Sequence, residues 1–179
     1  MFEKLIQINC YSKNKVMRKL ASEFLEKMYG CEIKCGQIGE NINFAHHARG
    51  CTIIAAKICE NVVIHQNVTI GTNLKFNKTS SKWENVGNPI ISKNVVICDG
   101  AKILGPIIIG SDSIVAAGAI ITKNIPADSI AYGINQFRRK DPNLMFRGDM
   151  IDFEEIIEAN RKRIAEFENL SMAHELLSN

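Results

Sequence analysis

Two adjacent histidines, His46 and His47, are the side chains in this sequence best suited to acid–base chemistry. An imidazole near neutrality can take a proton from a hydroxyl and hand it on. Only two other histidines occur, His65 and His174. The pair stands beside an irregularity in an otherwise strict sequence pattern, and a second irregularity, residues 72–89, carries Trp83 as a flat apolar surface with Lys75, Lys78 and Lys82 as charges. The cysteines, Cys10, Cys31, Cys35, Cys51, Cys59 and Cys98, include no CxxC pair, so they read as reduced structural thiols rather than as metal or redox groups.

The pattern is a repeat of six residues: Ile58-Cys-Glu-Asn-Val-Val, Ile64-His-Gln-Asn-Val-Thr, then Ile91-Ser-Lys-Asn-Val-Val, Ile97-Cys-Asp-Gly-Ala-Lys, Ile109-Gly-Ser-Asp-Ser-Ile and Val115-Ala-Ala-Gly-Ala-Ile. Helices repeat about every 3.6 residues and strands every 2, so neither explains it. A short strand followed by a sharp corner does, with three hexads closing a triangular coil and successive coils stacked through ladder hydrogen bonds. The aliphatic residue at position one points into the prism. The residue four later, here Val62, Val68, Val95, Ala101, Ser113 or Ala119, must be small, and Asn, Asp or Gly before it suits the corner.

Around this prism the sequence predicts three regions: a helical segment over 1–30, a β-helix over 31–137 with an extruded loop at 72–89, and a tail with a helix over 138–179. Val16, Met17, Leu20, Ala21, Phe24, Leu25 and Met28 mark an amphipathic helix that ends at Gly30, with a shorter helix before it. Asp152-Phe-Glu-Glu155 reads as a capping box opening a C-terminal helix whose stripe includes Ile156, Ile157, Ile164, Phe167, Leu170 and Leu177. With 22 basic and 19 acidic residues the charge is nearly balanced, and nothing points to nucleic acid. No long apolar run marks a leader or a membrane span, so the expectation is a cytoplasmic protein.

The runs FAHHARGCTIIAAKICENVVIHQNVTIG and NPIISKNVVICDGAKILGPIIIGSDSIVAAGAIITKNIPADSIAYG resemble the catalytic half of the serine O-acetyltransferase branch of the hexapeptide-repeat acyltransferases, and more closely its relatives from capsule and polysaccharide gene clusters. The resemblance implies a left-handed parallel β-helix, acetyl-CoA as co-substrate, no metal, and a homotrimer with sites between subunits. In that family a histidine two residues after an inward aliphatic removes the acceptor's proton. Counting from Phe44 gives His46, and the spacing on to Ile58 then needs no gap; His47 competes, because His47-Ala-Arg-Gly50 is similar to the family's His-Ala-Thr-Gly and needs two compensating slips. The orienting acid maps to Glu32 if one residue is missing from the hexad that follows it, and Gln66 repeats the coil position of His46 one turn later.

For acetyl-CoA the resemblance implies small residues along a groove, met here by Gly71 and Thr72, Asp99 and Gly100, and Ala116, Ala117 and Gly118, with Lys123 and Arg138 (beside Arg139 and Lys140) for the phosphates. Two family positions that hold serine, an aspartate before the histidine and a histidine after the loop, are Ala45 and Asn88 here. A sugar or polysaccharide-precursor hydroxyl is therefore the expected acceptor, contacted by Gln66, Trp83 and Asn88. The alternatives are a serine O-acetyltransferase, a γ-type carbonic anhydrase, whose His-x4-His spacing this chain lacks, and a non-catalytic β-helix.

Overall fold

The computed structural model describes residues 1–143, 154 and 157–167, which fall into two units: a compact one through residue 143 and a helical stretch at 157–167. Of the expected C-terminal capping box and stripe, Asp152, Phe153, Glu155, Ile156, Leu170 and Leu177 lie outside the described residues.

The first unit is a parallel β-solenoid preceded by two helices, α1 (Phe2–Tyr11) and α2 (Lys15–Phe24). Asn14 caps α2 by accepting from the amides of Val16 and Met17. A π-helical turn, Leu25–Tyr29, extends it to Gly30, whose left-handed φ of 65° ends the helix. Only Ala21 and Leu25 of the expected stripe are buried; Val16, Met17, Leu20, Phe24 and Met28 stay exposed.

Three ladders make the prism. The first face stacks the leading halves of β1 (Glu32–Ile38) and β3 (Thr52–Ile58) with β5 (Thr69–Gly71), β10 (Lys102–Leu104) and β13 (Ile120–Ile121). The second continues from the trailing halves of β1 and β3 to β8 (Ile90–Ile91) and β11 (Ile108–Ile109). The third runs β2 (Asn43–Phe44), β4 (Val63–Ile64), β9 (Val96–Ile97), β12 (Ile114–Val115) and β14 (Ser129–Tyr132), and β15 (Gln136–Arg139) closes it antiparallel. Parallel coiling thus runs through β14, within the 31–137 expected for the β-helix.

The hexad aliphatics fill the interior: Ile53, Ile58, Ile64, Ile70, Ile91, Ile97, Ile103, Ile109 and Ile121 are fully buried. Each such side chain contributes about 1.5–3 kcal/mol by leaving water. The six small residues expected four positions later are likewise fully buried. Among them the Ser113 hydroxyl is satisfied, 2.9 Å from the carbonyl of Pro126 and 3.1 Å from the amide of Ser129 that donates to it.

The corner between the second and third faces is an asparagine ladder. Asn41, Asn61, Asn94 and Asp112 take φ of 55–59° and bond coil to coil at 3.3, 3.3 and 2.9 Å. Asn and Asp tolerate this left-handed geometry at little cost.

Ladder register resolves the irregularity near the histidines. Ile33 pairs with Ile53 and Ile38 with Ile58, so these two coils cross from first to second face in five residues instead of six. From Phe44 to Ile53 the chain spends nine residues, three more than the repeat. The fourteen residues from Phe44 to Ile58, two more than two hexads, are therefore three gained at the histidines and one lost after Ile53.

Candidate functional site

Three extra residues cannot lie in a ladder, so they leave the prism at the corner between the third and first faces. There Ala45–Ala48 form a 3-10 turn in which His46, His47 and Ala48 take φ of 52, 56 and 56°. Three successive non-glycine residues in this region are strained and persist only where the surroundings hold them. Ala48 is fully buried, the Cys51 amide donates to its carbonyl at 2.9 Å, and the Gly50 amide donates to Gly30 at 2.9 Å. Gly50 takes a left-handed φ of 71°, and a Cβ there would stand 2.3 Å from Oδ1 of Asn67, which would have to shift. Both imidazoles are thereby presented outward.

Their surroundings differ. The His47 ring meets Phe2 edge-on at 5.4 Å and Tyr29 at 5.5 Å, and it lines a cavity of about 590 Å³ with Glu3, Asn41 and Asn43. His46 makes no side-chain hydrogen bond or ring contact among the described residues. The sequence reading missed Phe2 and Tyr29 as supports of His47, because they belong to the helical segment and share no period with the hexads.

Glu32 begins β1 on the preceding coil, with the five-residue crossing its assignment requires. Its carboxylate lies 2.5 Å from Lys34 Nζ, and no hydrogen bond links it to either histidine among the described residues. Gln66 lies at the histidine corner one coil on. Its Oε1 is buried and has no hydrogen-bond partner among the described residues, unusual for a buried carbonyl oxygen.

The small residues expected to flank acetyl-CoA divide between two corners. Asp99, Gly100, Ala116, Ala117 and Gly118 stack at the histidine corner, where nothing lies within 4 Å of a Cβ added at Gly118. Gly71, Thr72 and Lys123 stand instead at the corner between the first and second faces, with the extruded loop. Gly71 has neither a left-handed φ nor crowding, its nearest neighbour for a Cβ being a Leu104 methyl at 3.7 Å. Gly71 itself is buried within the chain. Thr72 is tied up otherwise: its hydroxyl lies 2.6 Å from Asn85 Oδ1 and 2.9 Å from the carbonyl of Gly87. Arg138 sits in β15 and is exposed.

The loop is a hairpin, β6 (Leu74–Asn77) with β7 (Lys82–Asn85), where the sequence reads as aperiodic. Trp83 packs edge-on against Phe76 at 5.3 Å yet remains 68% exposed. Asn88 follows at the hairpin's base. Within one chain the histidines and the hairpin occupy different corners of the prism, so Trp83 and Asn88 are not brought to His46 or His47.

The thiols are unpaired and remain structural. Burial pushes Cys31 up to about 11, with the neighbouring Cys51 thiol adding to it, and burial is the main cause for Cys35, also about 11. Protonated thiols are poor nucleophiles and poor ligands.

No protein-family model matches the chain. A serine acetyltransferase of Staphylococcus xylosus is 34% identical over 133 residues, 73% of this chain and 58% of that protein. Among solved structures, a serine acetyltransferase in complex with cysteine superposes with a TM-score of 0.70 at 23% identity, over 85% of this chain and 58% of that one. Another, in complex with CoA, gives 0.59 at 25% identity, over 74% and 52%. The chain spans about half the length of the relatives it matches. It is serine acetyltransferase-like in sequence across the solenoid and shares that fold; the relatives do not single out a polysaccharide branch.

Proposed function

We propose that this protein is an acetyl-CoA-dependent O-acetyltransferase with His47 as general base. The observation that carries the assignment of the base is the contact of the His47 ring with Phe2 and Tyr29, at 5.4 and 5.5 Å, which His46 lacks among the described residues. The ladder register adds three residues before Ile53 and removes one after it, a net gain of two, and both histidines lie on the same side of Ile53. The ring contacts favour His47 over His46, which uninterrupted counting favoured. Phe2 and Tyr29 brace the His47 ring; Glu3 is the carboxylate lining its cavity, whereas Glu32 on the coil before is paired with Lys34 and would have to leave it to orient the imidazole.

His47 would take the acceptor's hydroxyl proton as the oxygen attacks the thioester carbonyl. The carbon–sulfur bond then breaks, and the imidazolium returns the proton to the departing thiolate. The donor's extended arm would run beside Gly100 and Gly118 of one subunit and the hairpin corner of the next, which is how a trimer would unite two corners that one chain keeps apart.

For the acceptor, relatives named as serine acetyltransferases, one with 73% of this chain matched, favour serine over the sugar expected from the sequence. Ala45 and Asn88 support a second reading, a sugar hydroxyl, since neither offers a charge to the ammonium or carboxylate of an amino acid.

Thiol release from acetyl-CoA, measured across serine and a panel of sugars and sugar phosphates, tests both. Turnover lost in His47→Ala and largely kept in His46→Ala supports His47 as the base; the reverse result rejects it. Absence of acetyl-CoA binding would reject the enzyme itself.

A further inference from the structure

Helix α2 faces the prism with the wrong side for a helix held by apolar packing. Its exposed stripe is Val16, Leu20, Phe24 and Met28, whereas Lys15, Arg18, Lys19 and Ser22, one i, i+3, i+4, i+7 face, line a cavity of about 810 Å³ over the solenoid. The floor is flat because both coils beneath it lack a corner residue: β1 and β3 run straight through Gly36 and Ala56, where a Cβ on Gly36 would meet the Ala56 carbonyl at 2.7 Å. Lys34 adds a fourth cation, and no carboxylate lines the cavity. Lys19 lies 4.0 Å from Glu23 and Lys34 pairs with Glu32, but Lys15 and Arg18 have no ion-pair partner among the described residues.

These cations also break a local rule. The first turn of α2 has no acidic residue and begins with Lys15, although the positive end of a helix disfavours cations. A bound anion would offset both the unpaired charge of Lys15 and Arg18 and the helix terminus. Asn88, at the base of the hairpin, forms part of the wall, and the floor lies at the level of the two coils that flank His47.

We infer that this cavity binds the phosphate of a phosphorylated acceptor, a sugar phosphate or nucleotide sugar whose free hydroxyl reaches His47 of a neighbouring subunit. The inference rests on the second acceptor reading and on the site being shared between copies. For a zwitterion such as serine the cavity supplies four cations and no carboxylate to balance the ammonium.

Calorimetric titration of the full chain with glucose 1-phosphate, UDP-glucose and uncharged methyl glucoside, at low and high salt, tests it. The phosphorylated probes should bind and methyl glucoside should not, with affinity falling as salt rises. Lys15→Ala/Arg18→Ala should weaken that binding by about tenfold or more while melting like the parent, since both side chains are exposed. Tighter binding of UDP-glucose assigns a diester, tighter binding of glucose 1-phosphate a monoester, and both support the site. Equal behaviour of charged and uncharged probes, or no loss in the double variant, overturns it. Acetyl-CoA titrated into the same samples tests the transferase reading separately: its failure to bind would reject that reading and leave the cavity to the phosphate probes.

Discussion

At the scale of single residues, His46 and His47 are neighbours in sequence with different mechanical situations. Phe2 and Tyr29 hold one ring; nothing in the described chain holds the other. Replacing His47 by Ala is expected to lower kcat by about 10²–10⁴-fold, the usual worth of a positioned base, with a much smaller effect at His46; steady-state thiol release measures both. Gln66 gives a second expectation. Its buried Oε1 has no partner among the described residues, so Gln66→Leu should leave the melting temperature equal or raise it, while KM for acceptor or acetyl-CoA rises. A fall in melting temperature with unchanged KM would show that the amide serves the fold. Candidate residues for catalysis were readable from type and spacing, but the choice between adjacent histidines was not. The rings that brace His47 belong to the helical segment and share no period with the hexads.

At the scale of elements, the asparagine corner carries two burdens, a left-handed backbone and a coil-to-coil bond. Asn94, bonded above and below, is the place to separate them. Asn94→Ala should cost roughly 2–4 kcal/mol, and Asn94→Gly should recover only the backbone part, measured by denaturant unfolding. The first coils also bury Cys31 and Cys35, whose thiols are held at about 11 against an ordinary 9.0. A raised folded-state pKa means that stability is whole below pH 9 and falls as pH climbs toward 11, because the unfolded chain releases those protons first. Melting temperature should drop faster between pH 9 and 11 in the parent than in Cys31→Ala/Cys35→Ala. The hexads were legible as elements because each inward position demands an aliphatic residue. The hairpin was not, since a two-stranded ribbon exposed on both sides imposes no such demand on residues 74–85.

At the scale of the whole molecule, the prism's regularity keeps the histidine corner and the hairpin corner apart in one chain. If adjacent copies complete each site, two inactive variants should rescue one another. His47→Ala mixed in equal parts with a hairpin deletion, refolded together, should regain about a quarter of parental activity, because a quarter of the interfaces then pair an intact histidine with an intact hairpin. No recovery in mixed trimers would place the whole site within one chain. The same scale explains α2, which has its basic face over the cavity and its apolar stripe exposed, an orientation hidden in a sequence that shows only that two faces exist. By itself the sequence determined the solenoid, its inward residues, its left-handed corners and the two places where it is interrupted, because a six-residue period leaves each position one steric role. Tertiary structure alone decided where the extra and missing residues fall, which histidine is braced, and which corners the candidate groups occupy. Those depend on ladder register and helix docking, and contacts between residues far apart in sequence set both.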